Sequence, residues 1–154
     1  MGKELVRSKM IDILFMTANH VPAVAALEAV CFVDPWSEKS VASELTNPLS
    51  FWLVAVDGDV VAGYVGSQTV MGETDMMNVA VHPDYRRKGI AYLLINNLIK
   101  ICAVNNMDFL NLEVRESNCN AISLYNKLGF EIVFAFRNSG KHDFEINTSK
   151  KGGN

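Results

Sequence analysis

The chain has 154 residues, 49% of them hydrophobic and 20% charged, with a formal net charge of −3 and a pI near 5.6. That length suits one domain with a continuous core, and the composition excludes a disordered polymer. The mild acidity argues against a nucleic-acid backbone as partner, and no apolar run reaches the length of a membrane span.

Residues 1–9 are polar and read as loose. Met10–Met16, interrupted by Asp12, is short enough for a strand. From Val21 to Phe32 apolar residues recur at helical spacing (Val21, Val24, Ala25, Leu27, Val30, Cys31), with Asn19 as the expected cap. Asp34-Pro35-Trp36 breaks that helix; Ser37 caps a second one reaching about Leu45, and Asn47-Pro48 stops it. Ser50–Val56 and Val60–Thr69 flank Asp57-Gly58-Asp59, a hairpin signal. Met71-Gly72 turns the chain into a strand ending at Val81. Ile90 to about Val104 is the longest predicted helix, with Ile90, Leu94, Leu98, Ile101 and Cys102 on one face. Phe109–Val114 reads as a strand. Asn118 caps a helix to Leu128, which Gly129 ends. Glu131–Phe136 and His142–Ile146 read as a final pair of strands, and 149–154 as a polar tail. No repeat or linker divides the chain, so residues 1–154 are expected to form a single domain. The order of elements predicts an α/β or α+β fold, a mixed sheet with helices on its faces.

Cys31, Cys102 and Cys119 are odd in number and far apart, and with His20, His82 and His142 they make no zinc spacing. Thiols in that pattern fit a reducing compartment. Met1–Val6 lacks the apolar core of a signal peptide, and Val6 stands where a myristoylation motif wants Ser or Thr. A cytoplasmic protein without metal is expected.

The most informative stretch is Met77–Leu94, where an apolar strand passes through His82-Pro83-Asp84 and Arg86-Arg87-Lys88-Gly89 into the long helix. A helix N-terminus carries about half a positive charge, yet three cations surround this one. An anion bound by free backbone N–H groups resolves the conflict, with Gly89 permitting close approach. A solvated basic turn is the other reading.

Arg86-Arg87-Lys88-Gly89-Ile90-Ala91 resembles the Arg/Gln-x-x-Gly-x-Gly/Ala loop of the GNAT acetyltransferases. Asn78-Val79-Ala80-Val81-His82-Pro83 precedes it as in that family. Cys31-Phe32-Val33-Asp34-Pro35-Trp36-Ser37, Leu112–Asn118 and Leu124–Phe130 recur at matching distances. Together these blocks, within residues 10–135, look like the RimI branch, bacterial enzymes that acetylate the N-terminal alanine of a small-subunit ribosomal protein. The resemblance implies a mixed, mostly antiparallel central sheet whose two central parallel strands splay to admit acetyl-CoA. It also implies that backbone groups of Val79, Ala80 and Val81 pair with pantetheine. Residues Arg86, Arg87, Lys88, Gly89, Ile90 and Ala91 would hold the pyrophosphate, and Asn118 would touch CoA as well as cap its helix.

Acetyl transfer to an amine needs a neutral nucleophile. An α-amine with pKa near ~8 costs about 1.4 kcal/mol to deprotonate at pH 7, against about 4.6 for a lysine. One carboxylate acting through a water suffices for the first. Leu110, Leu112 and Val114 alternate onto one strand face, leaving Asn111 and Glu113 on the other. Glu113 is either salt-bridged, for instance to Arg115, or functional; the resemblance implies that it is the general base. Tyr125 is either a core residue packed with Ile122 and Leu128 or a donor to the departing thiolate, the role that the resemblance implies. A backbone N–H near Val79 would polarise the acetyl carbonyl. Cys119, in the first turn of its helix, makes a covalent acetyl-cysteine conceivable, but the family attacks directly in a ternary complex.

In this family the segment around Trp36 shapes the acceptor site, although Trp36 could simply cover the core. Glu28, Asp34 and Glu38 lie nearby and could attract a basic peptide; surface acids are usually just solvated. The expected partners are acetyl-CoA and a basic protein N-terminus, with the enzyme a monomer or weak dimer. Against the RimI pattern, Arg137–Ile146 has no tyrosine pair and its last strand looks short and polar. A lysine or small-molecule amine is therefore the alternative acceptor. A non-catalytic CoA sensor is a third reading, one that has no need of Glu113 and Tyr125.

Overall fold

A computed structural model describes residues 10–138 and 141–149; of Arg115 and of residues 133–149 it describes the backbone alone. The chain groups into two compact units, Met1–Ser67 with Asn78–Ile95 and Gln68–Met77 with Asn96–Asn154.

The first unit opens with β1 (Asp12–Phe15), a 3-10 turn (Ala18–His20), α1 (Val21–Cys31) and α2 (Glu38–Ser43), the last running into a 3-10 turn (Glu44–Thr46). It continues through β2 (Ser50–Asp57), most of β3 (Val60–Val70), the end of β4 (Glu73–Val81), a 3-10 turn (Pro83–Tyr85) and the start of α3 (Ile90–Val104). Its strands lie in the order β1-β2-β3-β4. β1 pairs antiparallel with β2, Asp12 opposite Val56 and Phe15 opposite Leu53. Two-residue connections join β2 to β3 and β3 to β4, so those neighbours are antiparallel too. Gly58, Met71 and Gly72 make the turns with φ of 61°, 52° and 85°.

The core of this unit gathers Val21, Val24 and Leu27 of α1, Val41 of α2 and Trp52, Val54, Val61, Tyr64 and Ala80 from the sheet. Trp52 stacks on Tyr64 (5.8 Å, 10°) and meets Trp36 edge-on (5.3 Å). The stack needs Gly66, where a Cβ would come within 2.6 Å of the Trp52 ring. Trp36 is thus partly core, while its segment stays accessible.

The second unit holds the start of β4, the rest of α3, β5 (Phe109–Arg115), α4 (Cys119–Lys127), β6 (Glu131–Asn138) and β7 (Lys141–Ser149), its strands in the order β4-β5-β7-β6. β4 and β5 are parallel. Their ladder sets Glu73 opposite Phe109, Thr74 opposite Leu110 and Asp75 opposite Asn111. β7 pairs antiparallel with the whole of β5, Phe109 opposite Ser149 and Arg115 opposite Asp143, and β6 pairs antiparallel with β7. The result is the mixed, mostly antiparallel sheet flanked by helices that was expected.

Local signals placed most boundaries well. Ser37 caps α2, its Oγ accepting from the Ser40 N–H at 3.1 Å, and Asn118 caps α4. Three expectations need correction. Asn19 does not cap α1: a 3-10 turn intervenes, in which the Thr17 N–H donates to His20 Nδ1 at 3.0 Å. The last strand is not short, since β7 extends over nine residues, Asp143–Ser149 of them paired with β5, and it takes in Ser149 from the predicted tail. On α1, Val30 is exposed, and Glu28 takes a place in the buried stripe. The expectations for residues 1–9 and 150–154 lie outside the described residues.

Candidate active site

The predicted anion loop belongs to the first unit. Val79 and Val81 are half-buried and Ala80 is buried at the end of β4. The His82 N–H then donates to the Ala62 carbonyl at 2.7 Å, holding the strand's exit against β3. Gly63 makes this packing feasible: a Cβ there would lie 2.9 Å from the Ala80 carbonyl oxygen and 3.3 Å from side-chain carbons of Ile90 and Leu94. Nothing in the sequence distinguishes this glycine from its strand neighbours.

The loop itself is built from within. His82 Nδ1 accepts from the Asp84 N–H at 3.0 Å, and the Tyr85 hydroxyl donates to Asp57 Oδ2 in the β2–β3 hairpin at 2.7 Å. That carboxylate acceptor pushes the Tyr85 pKa up. Lys88 Nζ sits 5.4 Å from the Tyr85 ring centre. Arg86 folds back, its Nε donating to the Val81 carbonyl at 3.2 Å and its guanidinium reaching Cys31 Sγ at 3.6 Å. Arg87 and Gly89 both take left-handed conformations, φ 66° and 78°. Left-handed residues in a tight turn suit an anion-binding concavity of backbone N–H groups, and a non-glycine residue held at positive φ is typical of functional loops. A Cβ at Gly89 would meet nothing within 4 Å, so the glycine serves its backbone angle rather than space. The Leu93 N–H donates to the Gly89 carbonyl at 3.0 Å and starts α3, with Ile90 buried and Ala91 half-buried behind the loop.

The predicted chemistry-bearing residues lie in the second unit. On β5 Leu110, Leu112 and Val114 are buried, while Asn111 is half-buried and Glu113 exposed. The alternation therefore falls as expected. The Cα partner of Glu113 is Glu145 on β7. The suggested partner Arg115 has its side chain outside the described residues. Asn111 Nδ2 donates to Glu73 and Asp75 at 3.1 and 3.2 Å. Asn118 Oδ1 accepts from the Ala121 N–H at 3.3 Å, so its capping role is real. Tyr125 is 6% exposed, its ring 5.5 Å from that of Phe130. Burial pushes its hydroxyl pKa up to about 12.

Glu28 departs most from expectation. Expected as a surface acid, it has no accessible surface. Its Oε1 accepts from the Trp36 N–H at 2.8 Å. Its Oε2 accepts from Asn78 Nδ2 at 2.7 Å and from the Tyr64 hydroxyl. Burial, and then the bond to this carboxylate, drive the Tyr64 pKa strongly upward. Three donors explain how a carboxylate survives among apolar residues. Asp34 and Glu38 are exposed as expected. The three cysteines are free thiols, Cys31 half-buried, Cys102 buried and Cys119 exposed.

A family model described as the acetyltransferase (GNAT) family matches residues 21–130. The ribosomal protein bS18-alanine N-acetyltransferase of Escherichia coli (strain K12) is 34% identical over 123 residues, covering 80% of this chain and 82% of that protein. A putative enzyme of the same description from Bacillus subtilis (strain 168) is 33% identical over 117 residues, 75% of this chain and 78% of its own. The crystal structure of the ribosomal-protein-S18-alanine N-acetyltransferase from Escherichia coli matches with a TM-score of 0.83 at 29% identity, covering 91% of this chain and 94% of that one.

Proposed function

The chain belongs to the GNAT acetyltransferase family, and from that premise we propose that it moves acetyl from acetyl-CoA to the N-terminal alanine amine of a small-subunit ribosomal protein. Membership makes it an acetyl-CoA-dependent N-acetyltransferase, with acetyl-CoA as cosubstrate. The acceptor rests on likeness to the bS18-alanine enzymes. The family match runs through both compact units, which supports one working domain.

The observation that carries the reading is the loop at 86–91. Its left-handed Arg87 and Gly89 ahead of a long helix suit the CoA pyrophosphate. In this reading Arg86, Arg87, Lys88, Gly89, Ile90 and Ala91 hold that group, while backbone groups of Val79, Ala80 and Val81 pair with pantetheine. An N–H near Val79 polarises the acetyl carbonyl, and Asn118 adds a contact to CoA beside its capping bond.

Glu113 is the general base. Its exposure leaves room for a water between carboxylate and amine, and an α-amine near pKa ~8 yields its proton for about 1.4 kcal/mol at pH 7. The neutral amine nitrogen then bonds to the acetyl carbon as the carbon–sulfur bond breaks, and the second proton shed by the nitrogen passes through water to the CoA thiolate, leaving the amide and the CoA thiol. Tyr125 donates a hydrogen bond to the departing sulfur. With its pKa near 12 against ~8.5 for an alkyl thiol, full proton transfer is uphill by about 5 kcal/mol, so the hydrogen bond is the stabilising event. Cys119 carries no acetyl group, and no step calls for a metal. The free thiols suit a cytoplasmic enzyme, here a monomer or weak dimer acting on a basic protein N-terminus and not on nucleic acid.

The test is CoA release from acetyl-CoA, with mass-spectrometric mapping of product, on a peptide beginning Ala-Arg and on its N-blocked twin carrying a lysine. Acetylation at the free α-amine alone, lost in Glu113→Gln, is expected. Modification of the lysine would replace the proposed acceptor.

A further inference from the structure

We propose that Glu28 is a positioning residue for the acceptor: it braces the 32–37 segment against β4 and so sets where the α-amine approaches. This rests on the function proposed above. The reason lies in which elements its carboxylate joins. Oε1 receives the Trp36 N–H at 2.8 Å, in the connection between α1 and α2. Oε2 receives Asn78 Nδ2 at 2.7 Å, on β4 one residue before the stretch Val79–Val81, and the Tyr64 hydroxyl on β3. One rigid group thus links the segment assigned to the acceptor with the strand assigned to pantetheine.

A hydrophobic residue would fill the same space on α1 without this link. Leu27 and Val24 beside it do so, both buried. A carboxylate here costs desolvation, and its three donors become unsatisfied if it is removed. What it supplies beyond packing is direction: an N–H of an otherwise irregular segment is pinned at a fixed distance from a strand. Glu28 is fully buried, so it touches no substrate and acts only through Trp36 and Asn78. Misplacing an acceptor by about an ångström can cost on the order of 100-fold.

The test compares wild type with Glu28→Gln and with the swap Glu28→Gln/Asn78→Asp. In the single variant an amide N–H₂ or a lone carbonyl faces the Asn78 donor. In the swap the amide introduced at position 28 donates to the carboxylate introduced at position 78. Three readouts are taken on the intact protein: acetyl-CoA affinity by calorimetry, kcat and KM for the Ala-Arg peptide, and hydrogen–deuterium exchange. In Glu28→Gln we expect peptide KM to rise about tenfold with acetyl-CoA affinity changed less than about twofold. Exchange should rise about tenfold in residues 32–37, with β1 and β2 unchanged, and the swap should recover most of both effects.

Equal losses of acetyl-CoA and peptide binding, with faster exchange throughout the first unit, would make Glu28 a general packing residue and overturn the proposal. Unchanged exchange at 32–37, or failure of both variants to fold, would also overturn it. Should the wild type acetylate no peptide, the acceptor assignment fails on its own, and the brace is still decided by exchange at 32–37 in the two variants.

Discussion

Glu28 on α1 has no accessible surface and receives three hydrogen bonds, whereas Glu113 on β5 lies exposed on the outer side of a strand whose alternate residues are buried. The two side chains are chemically identical, and their surroundings suit them to different work, the first to the brace and the second to the general base proposed above. A carboxylate fixed by three donors and sealed from water holds elements in place but cannot exchange protons with a substrate. A carboxylate in contact with solvent contributes little to the fold and is free to take a proton through water. Stability and turnover should therefore separate cleanly between the two positions.

The largest expected effect falls on turnover at the exposed one. Glu113→Gln should lower kcat for the α-amine peptide about 100- to 1,000-fold, roughly 3–4 kcal/mol of barrier. Its urea midpoint should stay within error of wild type. A large fall in stability would erase the contrast and assign Glu113 to a structural ion pair.

Glu28→Ala should do the reverse at first sight, costing about 3 kcal/mol or more in urea unfolding as the Trp36 N–H, the Tyr64 hydroxyl and the Asn78 amide lose their acceptor. A cost below about 1 kcal/mol would show that water replaces the carboxylate easily, and that the site is less sealed than its burial indicates.

Tyr125 combines the two behaviours, buried yet proposed to take part in the chemistry. Tyr125→Phe should reduce kcat about 10- to 30-fold with little change in acetyl-CoA affinity. It should also leave a mark in alkali. Below about pH 10 the tyrosine is neutral folded and unfolded alike. From about pH 10 to about 12 the unfolded chain ionises at this position while the folded one, its pKa near 12, stays protonated. The native state then binds more protons, so stability falls as pH rises, by up to about 3 kcal/mol from this group. Urea unfolding at about pH 9 and about pH 11 should give a flatter dependence in Tyr125→Phe than in wild type. Equal slopes would mean that Tyr125 is more hydrated than its burial indicates.

The legibility of these features in sequence follows the range of the interactions behind them. The Asp57–Asp59 hairpin, the Ser37 and Asn118 caps and the Arg86–Ala91 loop are written in neighbouring residues. Alternation alone places Glu113 outward, because a strand has only two faces. Glu28 escapes such reading for the opposite reason. Its buried position depends on Tyr64, 36 residues away, and Asn78, 50 residues away, and helical periodicity prefers Val30 to a glutamate in the apolar stripe. Gly63 and Gly66 are likewise silent, since what they make room for, the Ala80 carbonyl with α3 and the Trp52 ring, is tertiary. So is the placement of β7 between β5 and β6, which a hairpin signal does not determine.

The finest test compares one chemical pair in two settings. Asn78 Nδ2 donates to buried Glu28 at 2.7 Å; Asn111 Nδ2 donates to exposed Glu73 and Asp75 at 3.1 and 3.2 Å. Both are amide-to-carboxylate bonds, and in the second a single amide serves two acceptors. If bond number decided stability, Asn111→Ala would cost more. If dehydration decides it, Asn78→Ala leaves a buried carboxylate short of a donor and should cost about 2 kcal/mol, while water replaces the amide at 111 and the loss stays near or below about 0.5 kcal/mol. Urea titrations of the two variants give the difference directly. A gap of about 1.5 kcal/mol in favour of the buried pair would place the mechanical role of Glu28 in the exclusion of water around it. Equal costs would place that role in the packing of α1 instead.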